Sequence, residues 1–341
     1  MAKRKVKTIL AVVLLLAMVY LYQKYLPGTS PFTGMSTSQE VSQETAKQLT
    51  PLPLAEISDK PIEVYFCPHD DCAGHMLQYL NKSTTIHCAF FEFDLEQIIM
   101  LMKAKNAQVV VDDESYNSSF TFARKDKAHH LMHNKFCVLD NTTVWTASMN
   151  PKHTDNERNN NNVVIISSSA LAKNYEDEFE ELWGGTFGGG TRTRNTHILL
   201  NGTLIENYFC PEDWCANRVL EALDTANKSI YFMTFSFTDN QIGNMLLKKH
   251  DAGVVVKGIF EKSQNNSFSE FPKLAAAGIA VEWDKNKYNM HNKVFIIDEH
   301  IVVTGSFNPT KNGDTDNDEN ILIIHDAAIA KKFVEEFNRL Y

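Results

Sequence analysis

The chain has 341 residues, and the roughly 280 outside its N-terminal tail are ample for one bilobed unit or two similar domains. Its formal net charge is −9, but residues 1–24 hold five of the 33 basic side chains and no acid, so the rest stands at −14. That acidic body lacks the overall basic footprint of a nucleic-acid binder, although local basic patches can persist within it.

Residues 1–24 open with a basic run, Met1 to Lys7, and continue with a nearly unbroken apolar stretch, Thr8 to Tyr22. This is the layout of an export signal. The run is shorter than the ~20 residues of a typical spanning helix, but Lys7 and Lys24 can extend their charges to the interface. No Ala-x-Ala cleavage site follows. The expectation is an uncleaved signal-anchor, a transmembrane helix with Lys3, Arg4, Lys5 and Lys7 inside and the body extracytoplasmic. The alternative is secretion after signal cleavage. Residues 25–60 are rich in Pro, Ser, Thr, Gln and Glu without a periodic apolar face, and read as a flexible linker.

From residue 61 the chain repeats itself. Tyr65-Phe66-Cys67-Pro68-x-Asp70-x-Cys72-Ala73 returns as Tyr208-Phe209-Cys210-Pro211-x-Asp213-x-Cys215-Ala216. A helical pattern follows each, with Met76, Leu77 and Leu80 on its apolar face in one copy and Val219, Leu220 and Leu223 in the other. Apolar, aromatic strands come next, 86–93 and 230–237, then a second helix and a short Val-rich strand. Farther on, 163–166 pairs with 321–324 as buried strands, and 172–183 with 330–341 as amphipathic helices. Glycines between 184 and 190 suggest a flexible joint, which divides the body into halves 61–187 and 188–341. Strand–helix alternation with apolar strands argues an α/β class, each half a mixed sheet flanked by helices.

The segment 124–130 (Arg-Lys-Asp-Lys-Ala-His-His) has no counterpart in the second half, which is about thirteen residues longer there and carries a helix and a strand. It reads as one wall of a site or as a solvated loop.

The most specific stretch is also duplicated. His133-Asn134-Lys135 is followed by Asp140, then Ser148 and Asn150; His291-Asn292-Lys293 is followed by Asp298, then Ser306 and Asn308. His and Lys two apart on a strand share one face, and the apolar residues between them face the core. This tandem His-x-Lys-x4-Asp, Ser-x-Asn pattern resembles the phospholipase D superfamily, over about residues 61–341, in its compact nuclease-like and cardiolipin-hydrolase-like form. The resemblance implies two pseudo-two-fold-related α/β/α sandwich halves around one shared active site, within a monomer that acts as an internal pseudo-dimer.

The residue inventory suits a phosphodiester. Lys135, Lys293, Asn150 and Asn308, with the Ser148 and Ser306 hydroxyls, can hold the non-bridging oxygens and stabilise charge at phosphorus. One His can attack phosphorus while the other protonates the leaving alkoxide. The lysines supply the positive charge, so no metal or other cofactor is required. The resemblance implies a covalent phosphohistidine that water then hydrolyses. Asp140 and Asp298 fall on the opposite face and read as structural.

In the family an acid downstream orients the catalytic His. Glu319 stands 28 residues after His291, whereas the matching position after His133 is Asn161, which reads as structural. Pairing each His with the acid of its own half makes His291, with Glu319, the protonated general acid and His133 the neutral nucleophile. Asp155 and Glu157 are alternatives for the missing acid.

Cys67/Cys72 and Cys210/Cys215 recur at equivalent places and read as local disulfides of an exported protein. Cys67, His69, Cys72 and His75 could instead hold zinc, but the second copy lacks both histidines. Cys88 and Cys137 are either buried thiols or a bridge. Six Asn-x-Ser/Thr sequons are weak signals in an Asn-rich chain.

The expected activity is thus hydrolysis of a phosphodiester, with a phospholipid head group favoured by the acidic body and the membrane tether. A nucleic-acid substrate is the close alternative, with 124–130 as a phosphate track. Phosphatidyl transfer and an inactive scaffold are the remaining readings.

Overall fold

A computed structural model describes residues 52–127 and 130–341. The signal-anchor of residues 1–24 and most of the expected linker lie outside the described residues. The end of that linker departs from expectation, because Leu54–Glu56 forms a strand, β1.

The first half runs β2 (Glu63–Cys67), α1 (Cys72–Lys82), β3 (Ile86–Phe90), α2 (Glu96–Ala104), β4 (Gln108–Val111), β5 (Ala123–Lys125), β6 (Lys135–Leu139), β7 (Thr143–Ala147), α3 (His153–Glu157), β8 (Asn161–Ser167) and α4 (Ser169–Gly184). The second runs β9 (His197–Leu200), β10 (Thr203–Cys210), α5 (Cys215–Asp224), β11 (Ser229–Thr234), α6 (Asn240–Asp251), β12 (Val255–Phe260), α7 (Phe271–Ala276), β13 (Ala280–Trp283), β14 (Lys293–Ile297), β15 (Ile301–Gly305), α8 (Lys311–Thr315), β16 (Glu319–His325) and α9 (Ala327–Leu340).

Two sheets share one topology. The first is ordered β2-β8-β7-β6-β3-β4-β5 and the second β10-β16-β15-β14-β11-β12-β13, with β9 and β1 added beyond β10. Within the seven strands common to both, the parallel pairs are confined to the last three, β3-β4-β5 and β11-β12-β13, so the repeat seen in sequence is a repeat of fold. The central strands β6, β7, β14 and most of β15 are buried, as their β-branched and aromatic residues require.

Helices α4 and α9 lie between the sheets and each reaches into the other half. Tyr175 on α4 packs edge-on to Phe209 at 5.0 Å, and Phe333 on α9 packs on Phe66 at 5.1 Å. Both pairs belong to one shared apolar core, flanked by separate outer cores under α1 and α2 and under α5, α6 and α7. This is the expected pair of α/β/α sandwiches.

Other ties join the halves. β1 runs parallel to β9 on the second sheet while Glu56 accepts the Ser169 N–H at the start of α4 in the first half. The glycine run expected to be a loose joint is pinned, since Gly188 N–H donates to Asp318 at 2.7 Å.

Asp140 and Asp298 hold structure, as read. Each opens the turn after its strand with a left-handed φ, 52° and 53°. Asp140 accepts the N–H groups of Thr84 and Thr85, and Asp298 those of Asn227, Lys228 and Ser229. Sulfurs join as Cys67–Cys72, Cys210–Cys215 and Cys88–Cys137. The first bridge uses both sulfurs that a zinc site would have needed, and the third links neighbouring strands β3 and β6.

Candidate active site

The two His-x-Lys segments enter β6 and β14 at equivalent places, and each is fixed by the opposite half. His133 N–H donates to the Asp318 carbonyl at 3.0 Å, and His291 N–H to the Asn160 carbonyl at 2.8 Å. Short parallel bridges, Met132 with Asp318 and Asn160 with Met290, set this crossing. The two ends therefore meet across the pseudo-two-fold axis. Both histidines, both lysines, Ser148, Asn150 and Ser306 are buried there.

Within each half the pattern is the same. Lys135 Nζ donates to the His133 carbonyl at 2.6 Å and Lys293 Nζ to that of His291 at 2.7 Å. Phe91 lies 4.9 Å from the His133 ring and 5.1 Å from Lys135 Nζ; Phe235 repeats this with His291 and Lys293 at 4.8 and 5.1 Å. These aromatic floors were missed in the sequence. Their signal was the aromatic cluster ending each strand 86–93 and 230–237.

The acid pairing is the reverse of the expectation. Glu319 Oε2 lies 2.8 Å from His133 Nδ1, not on His291, and also accepts from Ser306 Oγ at 2.6 Å. Asn161 Oδ1 lies 2.9 Å from His291 Nδ1 and accepts from Ser148 Oγ at 2.9 Å. The crossing explains the error. Each histidine is presented to the strand start of the other half, so the partner 28 residues downstream serves the opposite His. Glu157 faces solvent beside His153, whereas Asp155 is buried with Oδ2 3.7 Å from His291 Nδ1. Asn161, read as structural, is a direct partner of His291.

Ser148 and Ser306 therefore spend their hydroxyls on Asn161 and Glu319 instead of lying free for phosphate. Asn150 Nδ2 donates to Asp155 at 3.0 Å, and its Oδ1 accepts from Glu92 N–H at 3.2 Å. Asn308, less tied, lines a cavity of about 860 Å³ with Ser236, Thr310, Asn312 and Leu131. Asp113, Glu114 and Asp316 form the acidic lip of that cavity.

Of the 124–130 segment, His130 reaches this cavity. Arg124 does not supply a phosphate track. Its guanidinium stacks 3.9 Å from the Trp183 ring and donates to the Trp183 carbonyl.

Burial shapes the electrostatics. It lowers His133 well below the usual imidazole range, and the Lys135 and Lys293 ammoniums push the same way. His291 is lowered for the same reasons, with His133 adding to the effect. Lys135 is brought down to about 8 by burial, and Glu319 is pushed up to about 8 by burial against the pull of Lys135 and Ser306. Burial thus favours the neutral form of both histidines. A phosphodiester anion would restore charge to lysines and imidazoles, which is how binding energy reaches the reacting groups.

Residues 77–183 and 219–341 match the family described as cardiolipin synthase, PLD-like domain. A phospholipase D of Rickettsia bellii is 34% identical over 139 residues, 40% of this chain and 69% of that protein. The chain belongs to the phospholipase D superfamily. This phospholipase D-type phosphodiesterase is also 33% identical over 126 residues to a mitochondrial cardiolipin hydrolase of Chlamydomonas reinhardtii, over 37% of the chain and 56% of that protein, just over half its length. The phosphatidylserine synthase of Haemophilus influenzae superposes with a TM-score of 0.64 over 86% of the chain and 89% of its own at 11% identity, which shows a shared fold.

Proposed function

We propose that the protein hydrolyses a phospholipid phosphodiester through a covalent phosphohistidine on His133, with His291 as general acid. The observation that carries the roles is the Glu319–His133 contact. With Glu319 Oε2 accepting from Nδ1–H, the lone pair stays on Nε2, and Nε2 forms the bond to phosphorus. The phosphorylated ring then carries positive charge for the lifetime of the intermediate, and Glu319 stabilises it. His291, held by the neutral Asn161, makes the stronger imidazolium acid. It gives its Nε2 proton to the departing alkoxide as the P–O bond breaks. Water attacks next, His291 takes its proton, and the P–N bond breaks. The roles match those expected from sequence, but the reason is the opposite one.

Phospholipid is favoured by the acidic lip of Asp113, Glu114 and Asp316, which repels a polyanion and suits a head group bearing a cation. The names of the Rickettsia and Chlamydomonas relatives support the same class. A nucleic-acid substrate is the second reading. It is favoured by a further cavity of about 770 Å³ that Lys262, Lys285 and Lys287 line beside Tyr288. We also propose that residues 1–24 anchor the body outside the cytoplasm, where its three disulfides persist.

The test offers mixed liposomes and single- and double-stranded DNA in parallel, in EDTA, with His133→Ala as blank. Head-group or phosphatidic acid release supports the proposal; phosphatidyl-alcohol formed with added ethanol would shift it to transfer. Nicked DNA without lipid turnover would overturn the phospholipid reading, and activity on neither would favour a scaffold.

A further inference from the structure

The repeat has moved a carboxylate, and the position it now occupies still serves the same axis. In the second half the acid stands at Glu319 and its α8 position is Gly313; in the first half the two are exchanged, with Asn161 at the strand and Asp155 in α3. Each pair is 158 residues apart, the constant register of this part of the chain.

Packing makes the exchange one-sided. A Cβ at Gly313 would meet the Asn308 carbonyl oxygen at 2.5 Å and Phe307 at 3.2 Å, so the second half has no room for a side chain there. In the first half the equivalent space holds a carboxylate aimed at the site. Asp155 is 3% exposed; its Oδ2 accepts from Asn150 N–H at 2.7 Å and Asn150 Nδ2 at 3.0 Å, and its Oδ1 from Asn159 Nδ2 at 2.6 Å. That Oδ2 is 3.7 Å from His291 Nδ1, and the Asn161 amide nitrogen donates to the Asp155 backbone carbonyl at 3.2 Å.

We propose that Asp155 is the displaced counter-charge of His291, a positioning residue that acts across the 3.7 Å to its ring and lets the two histidines differ in acid strength. The proposal rests on the reading that both histidines serve one phosphodiester. An acid in direct contact, as at His133, holds an imidazolium firmly; one set back to 3.7 Å, with an amide oxygen in the nearer place, holds it enough to form and loosely enough to release its proton. The other charges facing His291 are Lys293, Lys135 and His133, all of which oppose its protonation, so Asp155 is the acid beside it that favours the charged form.

The test is a histidine-selective 15N NMR titration of the full-length protein in detergent, alongside hydrolysis of bis(p-nitrophenyl) phosphate. Asp155→Asn should move the His291 midpoint down by roughly one pH unit and leave His133 less affected. Adding Asn161→Glu in that background should bring the His291 midpoint back up. An unmoved His291 midpoint in Asp155→Asn overturns the proposal, as does failure of Asn161→Glu to restore it. If Asp155→Asn does not fold, Asn161→Glu alone decides. A site already holding its carboxylate rises by less than about one unit, and a site lacking one rises by more than about two. If the wild type cleaves no phosphodiester while the titrations behave as stated, the catalytic reading fails and the placement of Asp155 stands.

Discussion

Glu319 and His133 are 186 residues apart and belong to different halves, yet the carboxylate lies 2.8 Å from the imidazole Nδ1. Glu319→Gln keeps an acceptor of similar size and removes the charge. It should lower kcat roughly 10²–10³-fold, while Asn161→Ala, which removes a neutral partner, should cost nearer tenfold. Steady-state kinetics on the substrate found in the parallel assay measure both, and equal losses would contradict the division of roles.

The intermediate should be trapped on one ring. In His291→Asn the base that takes the proton of the attacking water is gone, so with bis(p-nitrophenyl) phosphate, whose leaving group needs no proton, phosphorylated protein should accumulate on His133 and be seen by mass spectrometry after an alkaline quench. His133→Asn should show no label. Phosphate found on His291 would reverse the assignment.

Activity should favour mild acid. His133 must be unprotonated and His291 protonated in the reactive form, and burial lowers both below the ordinary imidazole value of about 6.5. The kcat/KM profile of the free enzyme, which rises through one of these values and falls through the other, should therefore peak below about 6.5. The bound anion raises both, so the kcat profile should peak at higher pH. Above about 8 the loss of the Lys135 charge should steepen the decline. A kcat/KM maximum on the alkaline side would contradict the neutral, buried pair.

Asp318 offers a stability test. Burial pushes its carboxyl up to about 8, with Glu212 and Asp126 nearby adding to the rise. In the unfolded chain it ionises near the ordinary aspartate value of 3.8, so between about 4 and 8 the unfolded state binds fewer protons and stability falls as pH rises. Asp318→Asn keeps an acceptor for Gly188 and removes the ionisation. Its Tm should exceed the wild type by a few degrees at pH 8 and converge with it near pH 4. Thermal denaturation at the two pH values decides.

The Cys88–Cys137 bridge closes a loop of 49 residues between β3 and β6. Cys88→Ser with Cys137→Ser should cost roughly 3–4 kcal/mol on the chain-entropy account, more than removing either short bridge. The urea midpoint of the double variant, compared with that of Cys67→Ser with Cys72→Ser, checks the order.

Much of this was written along the chain. His133, Lys135, His291 and Lys293 were legible because side chains alternate on a strand and the pattern occurs twice in register. Asp140 and Asp298 were legible as structural because the same alternation turns them away. The two sandwiches followed from apolar periodicity, which local propensity and burial impose residue by residue. What sequence could not decide was which half serves which. Glu319 is nearest to His291 in the chain, but hydrogen bonds from His133 to Asp318 and from His291 to Asn160 cross the halves, so its partner is His133. The same crossing moved Asn161, aligned in sequence with His133, to His291 and carried Asp155 to within 3.7 Å of that ring. Strand spacing is a property of neighbours; contact across a pseudo-two-fold axis depends on how two whole sheets pack through α4 and α9, and only the tertiary structure fixes that.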